Sequence, residues 1–220
     1  LSFNAWRVLP KAQQALFRGC SLGNKNGDKF RISGKLPITQ ELVELLGLYA
    51  AEGTTLTSKG RTSRVVWSFG AHEKELINYT QSLIKKVFGY DAEPHYAHET
   101  ASTIQIDSLI IALLFREVFK AGSSSHIKRI PWLMFNVSRV LRERYLIAYL
   151  AGDGYPASQF TGYLINHTVP DADERVKFSA ISVSKELISD LSYLLFSIGK
   201  TFSVGSFKEH IRSGEVDVNY

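Results

Sequence analysis

The sequence predicts an α+β fold made of two similar halves, each built from helices and antiparallel hairpins. Three observations support this prediction: a short apolar motif that occurs twice, the same order of elements after each copy, and strands with alternating polar and apolar residues. Each half is predicted as helix, hairpin, helix, hairpin and final helix, which makes a duplicated αββαββα fold. Residues 1–37 are predicted to form a basic N-terminal arm, 38–137 the first half, and 138–220 a second half without its final helix.

The first half contains these elements in order. An apolar helix is predicted over residues 41–53 ("ELVELLGLYAAEG"), and a hairpin follows in which the turn "KGRT" joins "TLTS" to "RVVWSFGA". Apolar residues at helical spacing predict a helix over 72–89. A second hairpin joins "AEPHYAH" to "TIQIDS", and a last helix is predicted over 109–119.

The second half repeats this order after the stretch "LIAYLAGDG". A hairpin is predicted from "SQFTGYLINHT" and "RVKFSAISV", then the helix "SKELISDLSYLLFSIG", then a hairpin from "KTFSVGSFKEH" and "GEVDVNY". The repeat extends to identical letters, since "KELI" occurs at 74–77 and again at 185–188. Such internal similarity indicates a duplicated unit.

Composition excludes several classes of protein. The chain of 220 residues is 45% hydrophobic and 21% charged, as is ordinary for a globular protein. Its single cysteine, Cys20, excludes an internal disulfide and a cysteine-based zinc cluster. No apolar run approaches the roughly 18 residues of a membrane span, and the N terminus lacks a signal-peptide pattern. We therefore expect an intracellular protein of the cytoplasm, nucleoid or an organelle, with no membrane partner.

The positive charge is concentrated at the N terminus. The net charge is +5, and residues 1–36 hold seven basic residues against one acid, Asp28, which gives +6 for this segment. A basic leader of this kind fits either an arm that contacts a polyanion or a merely solvated segment.

Alternating strands predict a sheet with one polar face. Such a face is suited to the DNA major groove, although a plain solvated face fits the same pattern. Arginine and lysine suit phosphates and guanine, while glutamine and asparagine suit adenine. The candidate DNA contacts are Arg61, Arg64, Ser68, Gln159, Thr161, Tyr163, Asn166, Arg175, Lys177, Lys208 and Arg212.

Each apolar motif ends in an acid followed by glycine, at Glu52-Gly53 and Asp153-Gly154. Small residues within both motifs allow the two helices to pack closely, which would bring the two acids together. The glycines are predicted to end the helices in a left-handed conformation. A carboxylate at the negative end of a helix is unfavourable, and two close carboxylates repel each other, so a divalent cation is the expected partner.

The two motifs resemble those of the LAGLIDADG homing endonucleases in their single-chain, two-motif form. The matching stretches are "LLGLYAAEG" over 45–53 and "LIAYLAGDG" over 146–154, and the resemblance extends over residues 38 to 220. It implies a saddle whose sheets bind double-stranded DNA, in a chain that is monomeric because of its internal pseudo-symmetry. It also implies a Mg²⁺-dependent cut of both strands at a long site, with Mn²⁺ as a substitute metal.

The resemblance also implies roles for individual residues. Glu52 and Asp153 would be the catalytic metal ligands, with the backbone carbonyls of Ala51 and Gly152 as further ligands. The stretch "HIKRIPWL" contains Lys128, which in similar proteins lies near the active site and acts on the attacking water or the phosphate. An exposed basic pair, Lys128-Arg129, is the alternative interpretation of this stretch.

Three origins remain open from the sequence. The chain begins with Leu1 and ends with Asn219-Tyr220, without the nucleophile and His-Asn pair of an intein, which favours an intron-encoded enzyme. An intein-derived endonuclease domain is one alternative. The other is a nucleic-acid binder that does not cleave, such as an RNA maturase with intron RNA as its partner.

Overall fold

The computed structural model describes residues 8–15, 19–23, 30–58, 61–170, 177–206, 208–209 and 218–219. In chain order the elements are α1 (Lys11–Ala15), β1 (Ser21–Gly23), β2 (Arg31–Ser33), α2 (Gln40–Glu52), β3 (Gly53–Ser58), β4 (Arg61–Gly70), α3 (Lys74–Phe88), β5 (Pro94–His98), β6 (Ala101–Ile106), α4 (Leu109–Leu113), α5 (Arg139–Asp153), β7 (Gly154–Tyr155), α6 (Ala157–Ile165), β8 (Ser179–Ala180), α7 (Lys185–Ser197), β9 (Lys208–Glu209) and β10 (Val218–Asn219). A π-helical turn (Leu114–Val118) continues α4, and two 3₁₀ turns (Ser125–Ile127, Trp132–Asn136) lie before α5.

The two motif helices, α2 and α5, form the centre of the molecule. Each begins at a hydroxyl cap: the side chain of Thr39 accepts a hydrogen bond from the Leu42 amide, and that of Ser138 from the Leu141 amide. Residues 42–50 of α2 and 144–151 of α5 are all buried. Both motif helices are therefore buried on several sides, and they pack closely on each other as the sequence predicts.

Small residues set the distance between α2 and α5. A Cβ atom added to Gly47 would lie 2.5 Å from the Tyr145 carbonyl oxygen and 2.8 Å from the Ala148 Cβ. One added to Gly152 would lie 2.6 Å from the Ala51 Cβ. No real Cβ fits at these distances, so glycine is required at both positions for the observed approach.

A Gly47→Ala substitution tests this packing. We expect it to lower the free energy of unfolding by about 1–3 kcal/mol, because the new methyl group must displace the backbone of α5. The matched control is Gly162→Ala within α6, where an added Cβ meets nothing within 4 Å. There alanine should stabilise the helix by about 0.5–1 kcal/mol. Urea unfolding of both variants gives the two values, and a gain at both positions would contradict the close approach.

The glycines that end the motif helices are not left-handed, so that prediction is wrong. Gly53 has φ −87° and ψ 154°, and Gly154 has φ −86° and ψ 161°, both extended. The chain passes directly from each helix into a strand, which requires an extended residue rather than a left-handed one. Glycine is needed for space instead, since an added Cβ would lie 2.7 Å from the Tyr49 Cα in one case and 2.8 Å from the Leu150 Cα in the other.

The first half has the predicted order of helices and hairpins. Its four strands form one antiparallel sheet in the order β3-β4-β6-β5. The inner face carries Val65, Trp67 and Phe69, all buried, as the alternation predicts. Trp67 packs edge-on against Phe115, with ring centroids 5.7 Å apart, so the turn after α4 covers the sheet. Two predicted hairpins and three predicted helices are confirmed here.

The second half departs from the prediction most at its first hairpin, and residues 201–206 of the predicted strand "KTFSVGSFKEH" also form no strand. The stretch predicted as a strand from residue 158 is the helix α6, so Gln159, Thr161 and Tyr163 do not share a sheet face. Phe160 and Leu164 are buried, and residues four apart lie on one side of a strand and of a helix alike. The apolar pattern was therefore ambiguous. The helix is stabilised by a distant residue, Arg144, which binds the carbonyls of its last turn.

The hairpins of the second half are short in the described residues. β7 pairs with β8 through Gly154 with Ala180 and Tyr155 with Ser179, in antiparallel register. β9 and β10 form a second antiparallel pair, and the predicted helix is present as α7. The fold is thus α+β with antiparallel sheets, as predicted, and the second half adds a helix that the first half lacks.

Part of the predicted arm packs onto the first half. β1 and β2 form an antiparallel pair, and Ile32 in the middle of β2 is buried in the core. Phe30 meets Tyr90 edge-on at 5.1 Å between centroids. Arg31 and Lys35 are exposed beside them, so this segment presents its charge outward. None of the helices in the described ranges is long and apolar enough to cross a membrane.

Candidate active site

The last residues of α2 and α5 bring the two motif acids to one end of the helix pair. The side chain of Glu52 lies against the other motif, because a Cβ on Gly152 would be 3.1 Å from both its Cγ and its Oε1. Glu52 and Asp153 are close enough for the charge of Asp153 to raise the pKa of Glu52. The predicted convergence of the two acids is therefore observed.

Burial raises the pKa of both carboxyl groups. Desolvation raises the pKa of Glu52 to about 8; the nearby charges of Asp153 and Glu73 add to this rise, and Lys128 opposes it. Desolvation also raises the pKa of Asp153 to about 6, again opposed by Lys128. At pH 7 the neutral form is therefore favoured for Glu52, whereas Asp153 is mostly ionised. Carboxyl groups with pKa values raised in this way are characteristic of functional sites, including sites that bind a cation.

Lys128 is the third member of this cluster. Its side chain is 4% exposed and lies above the Tyr49 ring, with Nζ 4.6 Å from the centroid. The ammonium group donates to the carbonyls of Tyr49 and Ala50, the latter at 3.2 Å. It therefore binds two carbonyls in the last turn of α2, and that of Tyr49 also accepts from the Gly53 amide. Burial lowers the pKa of Lys128 to about 8, and Asp153 and Glu52 oppose this shift.

The connector that carries Lys128 is tied to the first half. The Tyr49 hydroxyl donates to the Gly122 carbonyl at 2.6 Å, and Thr54 donates to the Ser123 carbonyl at 2.7 Å. Gly122 has φ +79°, and a Cβ there would lie 2.7 Å from the Lys128 Cα. The turn is therefore closed tightly under the lysine, which rules out the alternative of an exposed basic pair for Lys128.

The donor set fits a hard divalent cation better than zinc. Within the described part of the chain, no three or more His, Cys, Asp or Glu side chains converge on one point. Over the same residues, neither Glu52 nor Asp153 has a hydrogen bond or a salt bridge. A cation here would be held by two carboxylates together with backbone carbonyls and water, which are ligands of Mg²⁺. Ala51 and Gly152, the predicted carbonyl ligands, adjoin the two acids.

The outer face of the sheet is the predicted place for DNA contacts. Ser68 is exposed there, and Arg64 is half-buried with its Nε 2.9 Å from Asp107 Oδ1 and its guanidinium 3.2 Å from Gln105 Oε1. Strand pairing places Gln105 beside Val66 and Thr103 beside Ser68 and His95 on this face. Thr103, Gln105 and His95 were not among the contacts predicted from the sequence. The alternation of Thr103 and Gln105 with buried Ile104 and Ile106 could have found the first two.

The other predicted contacts are scattered. Gln159 donates to the Tyr163 hydroxyl at 3.0 Å and Thr161 to the Ala157 carbonyl at 3.1 Å, so these side chains are engaged within α6. Asn166 and Lys177 are exposed. Arg61 lies in β4 and Lys208 in β9, while Arg175 and Arg212 lie outside the described residues.

A buried ion pair joins the opposite end of the motif helices. Glu44 and Arg144 are 0% and 2% exposed, and Glu44 Oε1 lies 2.6 Å from Arg144 Nη2 and 2.7 Å from Nε. Tyr79 donates to the other Glu44 oxygen at 2.6 Å. Sequence reasoning missed this pair, although a charged residue inside each apolar helix was a visible signal.

No family model matches the chain. The large subunit of DNA polymerase II from Thermococcus kodakarensis is 33% identical over 178 residues, which cover 81% of this chain and 9% of that protein. The replication factor C small subunit of Methanocaldococcus jannaschii is 29% identical over 135 residues, covering 57% of this chain and 7% of that protein. The chain thus spans less than a tenth of either relative.

The chain also matches solved structures of DNA-bound proteins. The crystal structure of I-DmoI in complex with DNA and Mn is 14% identical, with a TM-score of 0.47 over 77% of this chain and 81% of that one. The LAGLIDADG meganuclease I-AabMI bound to uncleaved DNA is 10% identical, with a TM-score of 0.35 over 74% of this chain and 85% of that one. The chain's structural neighbours are LAGLIDADG homing endonucleases, the family that its two motifs resemble.

Proposed function

We propose that this chain is a site-specific DNA endonuclease of the LAGLIDADG homing type, which makes a metal-dependent double-strand cut at a long site. One observation carries the proposal: two partly buried carboxylates, Glu52 and Asp153, converge from two glycine-packed helices beside the buried amine of Lys128. Burial of three ionisable groups side by side lowers the stability of a protein, since each group loses its hydration. Their presence together therefore indicates a functional role.

A divalent cation suits the charge of this site. Glu52 and Asp153 would hold Mg²⁺, or Mn²⁺ in its place, with the backbone carbonyls of Ala51 and Gly152. The bound metal supplies a lowered pKa for water and stabilisation of the phosphate oxygens. Lys128 contributes a fixed positive charge beside the scissile phosphate, where negative charge grows during hydrolysis.

The DNA would lie on the outer face of the four-stranded sheet. Ser68, Thr103 and Gln105 offer hydroxyl and amide groups for base edges, and Arg64 offers a guanidinium whose direction is fixed by Asp107. One chain supplies both motif helices, so we propose that the protein acts as a monomer.

An intein-derived endonuclease domain is favoured over a free-standing intron product by one observation. The matching segments lie within much longer proteins that differ in name, a polymerase subunit and a replication factor subunit, and fill only 9% and 7% of them. One segment shared by otherwise different proteins is the distribution of an inserted element. Expression of the segment with its natural flanking residues tests this: ligated flanks, identified by mass spectrometry, would establish splicing.

The proposed cleavage is tested with a library of long randomised DNA duplexes. The protein is incubated with the library in Mg²⁺ or in EDTA, beside an Asp153→Asn control, and both bound and cut molecules are sequenced. We expect one enriched motif to be cut on both strands in Mg²⁺ only, and not by the variant. Enriched binding without cutting would instead support a maturase, with intron RNA as the ligand to test next.

A further inference from the structure

A group of polar contacts lies behind Lys128, where helix α7 of the second half meets the connector between the halves. The carboxylate of Asp190 is at its centre and is 9% exposed. Its Oδ2 accepts from Arg129 Nε at 2.7 Å and from the Ile130 amide at 3.1 Å, and its Oδ1 accepts from Arg129 Nη2 at 2.9 Å. Asp190 therefore fixes the backbone immediately after Lys128.

Ser184 fixes the backbone of Lys128 itself. It is fully buried at the N-cap of α7, and its hydroxyl donates to the Lys128 carbonyl at 2.8 Å while accepting from the Leu187 amide at 3.2 Å. The start of α7 is thus bonded directly to the residue that carries the amine. Together Ser184 and Asp190 make contacts to three consecutive residues of the connector, 128–130.

Lys128 is consequently held from both halves of the molecule. Its amine is bonded to the end of α2 in the first half, and its backbone is bonded to α7 in the second. A charge acts on a reacting phosphate only if it is placed accurately, and a displacement of about 1 Å reduces rates by about 100-fold.

Asp190 contributes to stability as well as to the arrangement of the connector. The Arg129 side chain is half-exposed but that of Asp190 is only 11% exposed, so the test must separate loss of stability from loss of positioning. The two-pronged contact with Arg129 orients the carboxylate of Asp190 so that it also accepts from the amide of Ile130, two residues after Lys128.

We propose that Asp190 and Ser184 are positioning residues of the active site, which fix the Lys128 amine against the end of α2 from the opposite half of the molecule. The proposal rests on the proposed nuclease function. Neither residue touches the substrate in this view, and both act through Lys128.

The test uses Asp190→Asn and Ser184→Ala in the full chain. With the duplex found in the library experiment, we expect single-turnover cleavage to fall about 10- to 100-fold in each variant, while DNA affinity in Ca²⁺ stays within about 2-fold. The matched control is Ser189→Ala, an exposed serine on the same helix, which should cleave like the parent chain. Thermal unfolding identifies the variants that remain folded at the assay temperature.

A double-mutant cycle with Lys128→Met separates positioning from a general structural effect. Because Asp190 acts through the amine, Asp190→Asn should cause no further loss in the Lys128→Met background. An equal loss in both backgrounds, or a parental cleavage rate for Asp190→Asn, would overturn the proposal. So would a parental rate for Lys128→Met, since the amine would then have no role to position.

A second readout does not depend on cleavage. The Tyr49 ring lies 4.6 Å from Lys128 Nζ, so its ring current shifts the nearby methylene signals in a ¹H–¹³C NMR spectrum, assigned by comparison with Lys128→Met. Asp190→Asn should move these signals towards values for a free lysine. If the parent chain does not cut DNA but the signals move, the nuclease assignment fails and the clamp stands; unmoved signals overturn the clamp.

Discussion

A Glu52→Gln variant is expected to lose DNA cleavage and to become more stable than the parent chain when no divalent metal is present. Cleavage should fall by about 1,000-fold or more, because the amide cannot supply the negative charge that holds a hard cation. Stability should rise, because the parent chain must keep a partly buried carboxylate ionised at alkaline pH and the variant need not.

The sign of the stability change follows from the pKa. Burial raises the pKa of Glu52 from 4.5 to about 8 on folding, so the folded chain binds this proton more tightly than the unfolded chain. The loss of stability caused by ionising Glu52 is therefore absent below about pH 4.5, grows between pH 4.5 and about pH 8, and is constant above about pH 8. We therefore expect the free energies of unfolding of Glu52→Gln and the parent chain to be similar at pH 4.5. At pH 8.5 the variant should be more stable by on the order of 2 kcal/mol. This value is smaller than about 1.4 kcal/mol for each pKa unit, because water reaches the partly buried site.

Urea unfolding in EDTA at the two pH values measures this difference. Adding Mg²⁺ at one hundred times its Kd should stabilise the parent chain by about 2.7 kcal/mol and the variant much less. Glu41→Gln is the control, since it makes the same change at the other end of α2. There the backbone hydrogen bond and the Thr39 hydroxyl lower the pKa of Glu41, so its loss should slightly destabilise the chain and leave cleavage intact. A Glu52→Gln variant that still cuts would remove Glu52 from the metal site.

Replacing Arg144 with methionine is expected to lower the free energy of unfolding by about 3–5 kcal/mol. The substitution leaves the buried carboxyl group of Glu44 without its cationic partner, and removal of one partner of a buried ion pair is strongly destabilising. It also removes donors to the carbonyls of Tyr163, Leu164 and Thr168, so α6 loses the group that binds its C-terminal end. The loss of α6 should therefore accompany the loss of stability.

Two further variants separate the causes of this effect. Arg139→Met removes an exposed arginine from the same helix, paired with Glu143 at 2.9 Å, and should change stability by about 0.5 kcal/mol or less. Glu44→Gln combined with Arg144→Met removes the uncompensated charge and should recover part of the loss. Urea unfolding followed by circular dichroism measures all three variants, and an Arg144→Met effect no larger than that of Arg139→Met would disprove the role of the pair.

The first half was predictable because its signals are local. Strand β6 shows clean alternation and β4 alternates over residues 67–69, each helix has its own apolar spacing, and the order of helices and strands over residues 40–118 is as predicted. In α6 the local signal was insufficient, because Phe160 and Leu164 fit a strand as well as a helix. The carbonyl contacts of Arg144 favour the helix, and they come from a residue 19 or more positions away.

The two acids of the candidate site could be predicted from the sequence, but the ion pairs that hold the surrounding elements in place could not. Duplication of the motif locates Glu52 and Asp153, and the resemblance locates Lys128. The pairs Glu44–Arg144 and Arg129–Asp190 are separated by 100 and 61 residues, and no spacing rule connects them. The sequence also does not distinguish a solvated sheet face from one that binds DNA, because alternation shows only which residues face outward.

The residues of the candidate site and those that hold Lys128 are far apart in the chain, so they are translated at different times. The ribosome completes Glu52 and Lys128 before it reaches Asp153, and Asp190 follows later still. A nascent chain or a prematurely released fragment therefore lacks the second acid, the anchor of the lysine, or both. Under the proposed function, DNA cleavage would therefore begin only after both halves have been translated and folded.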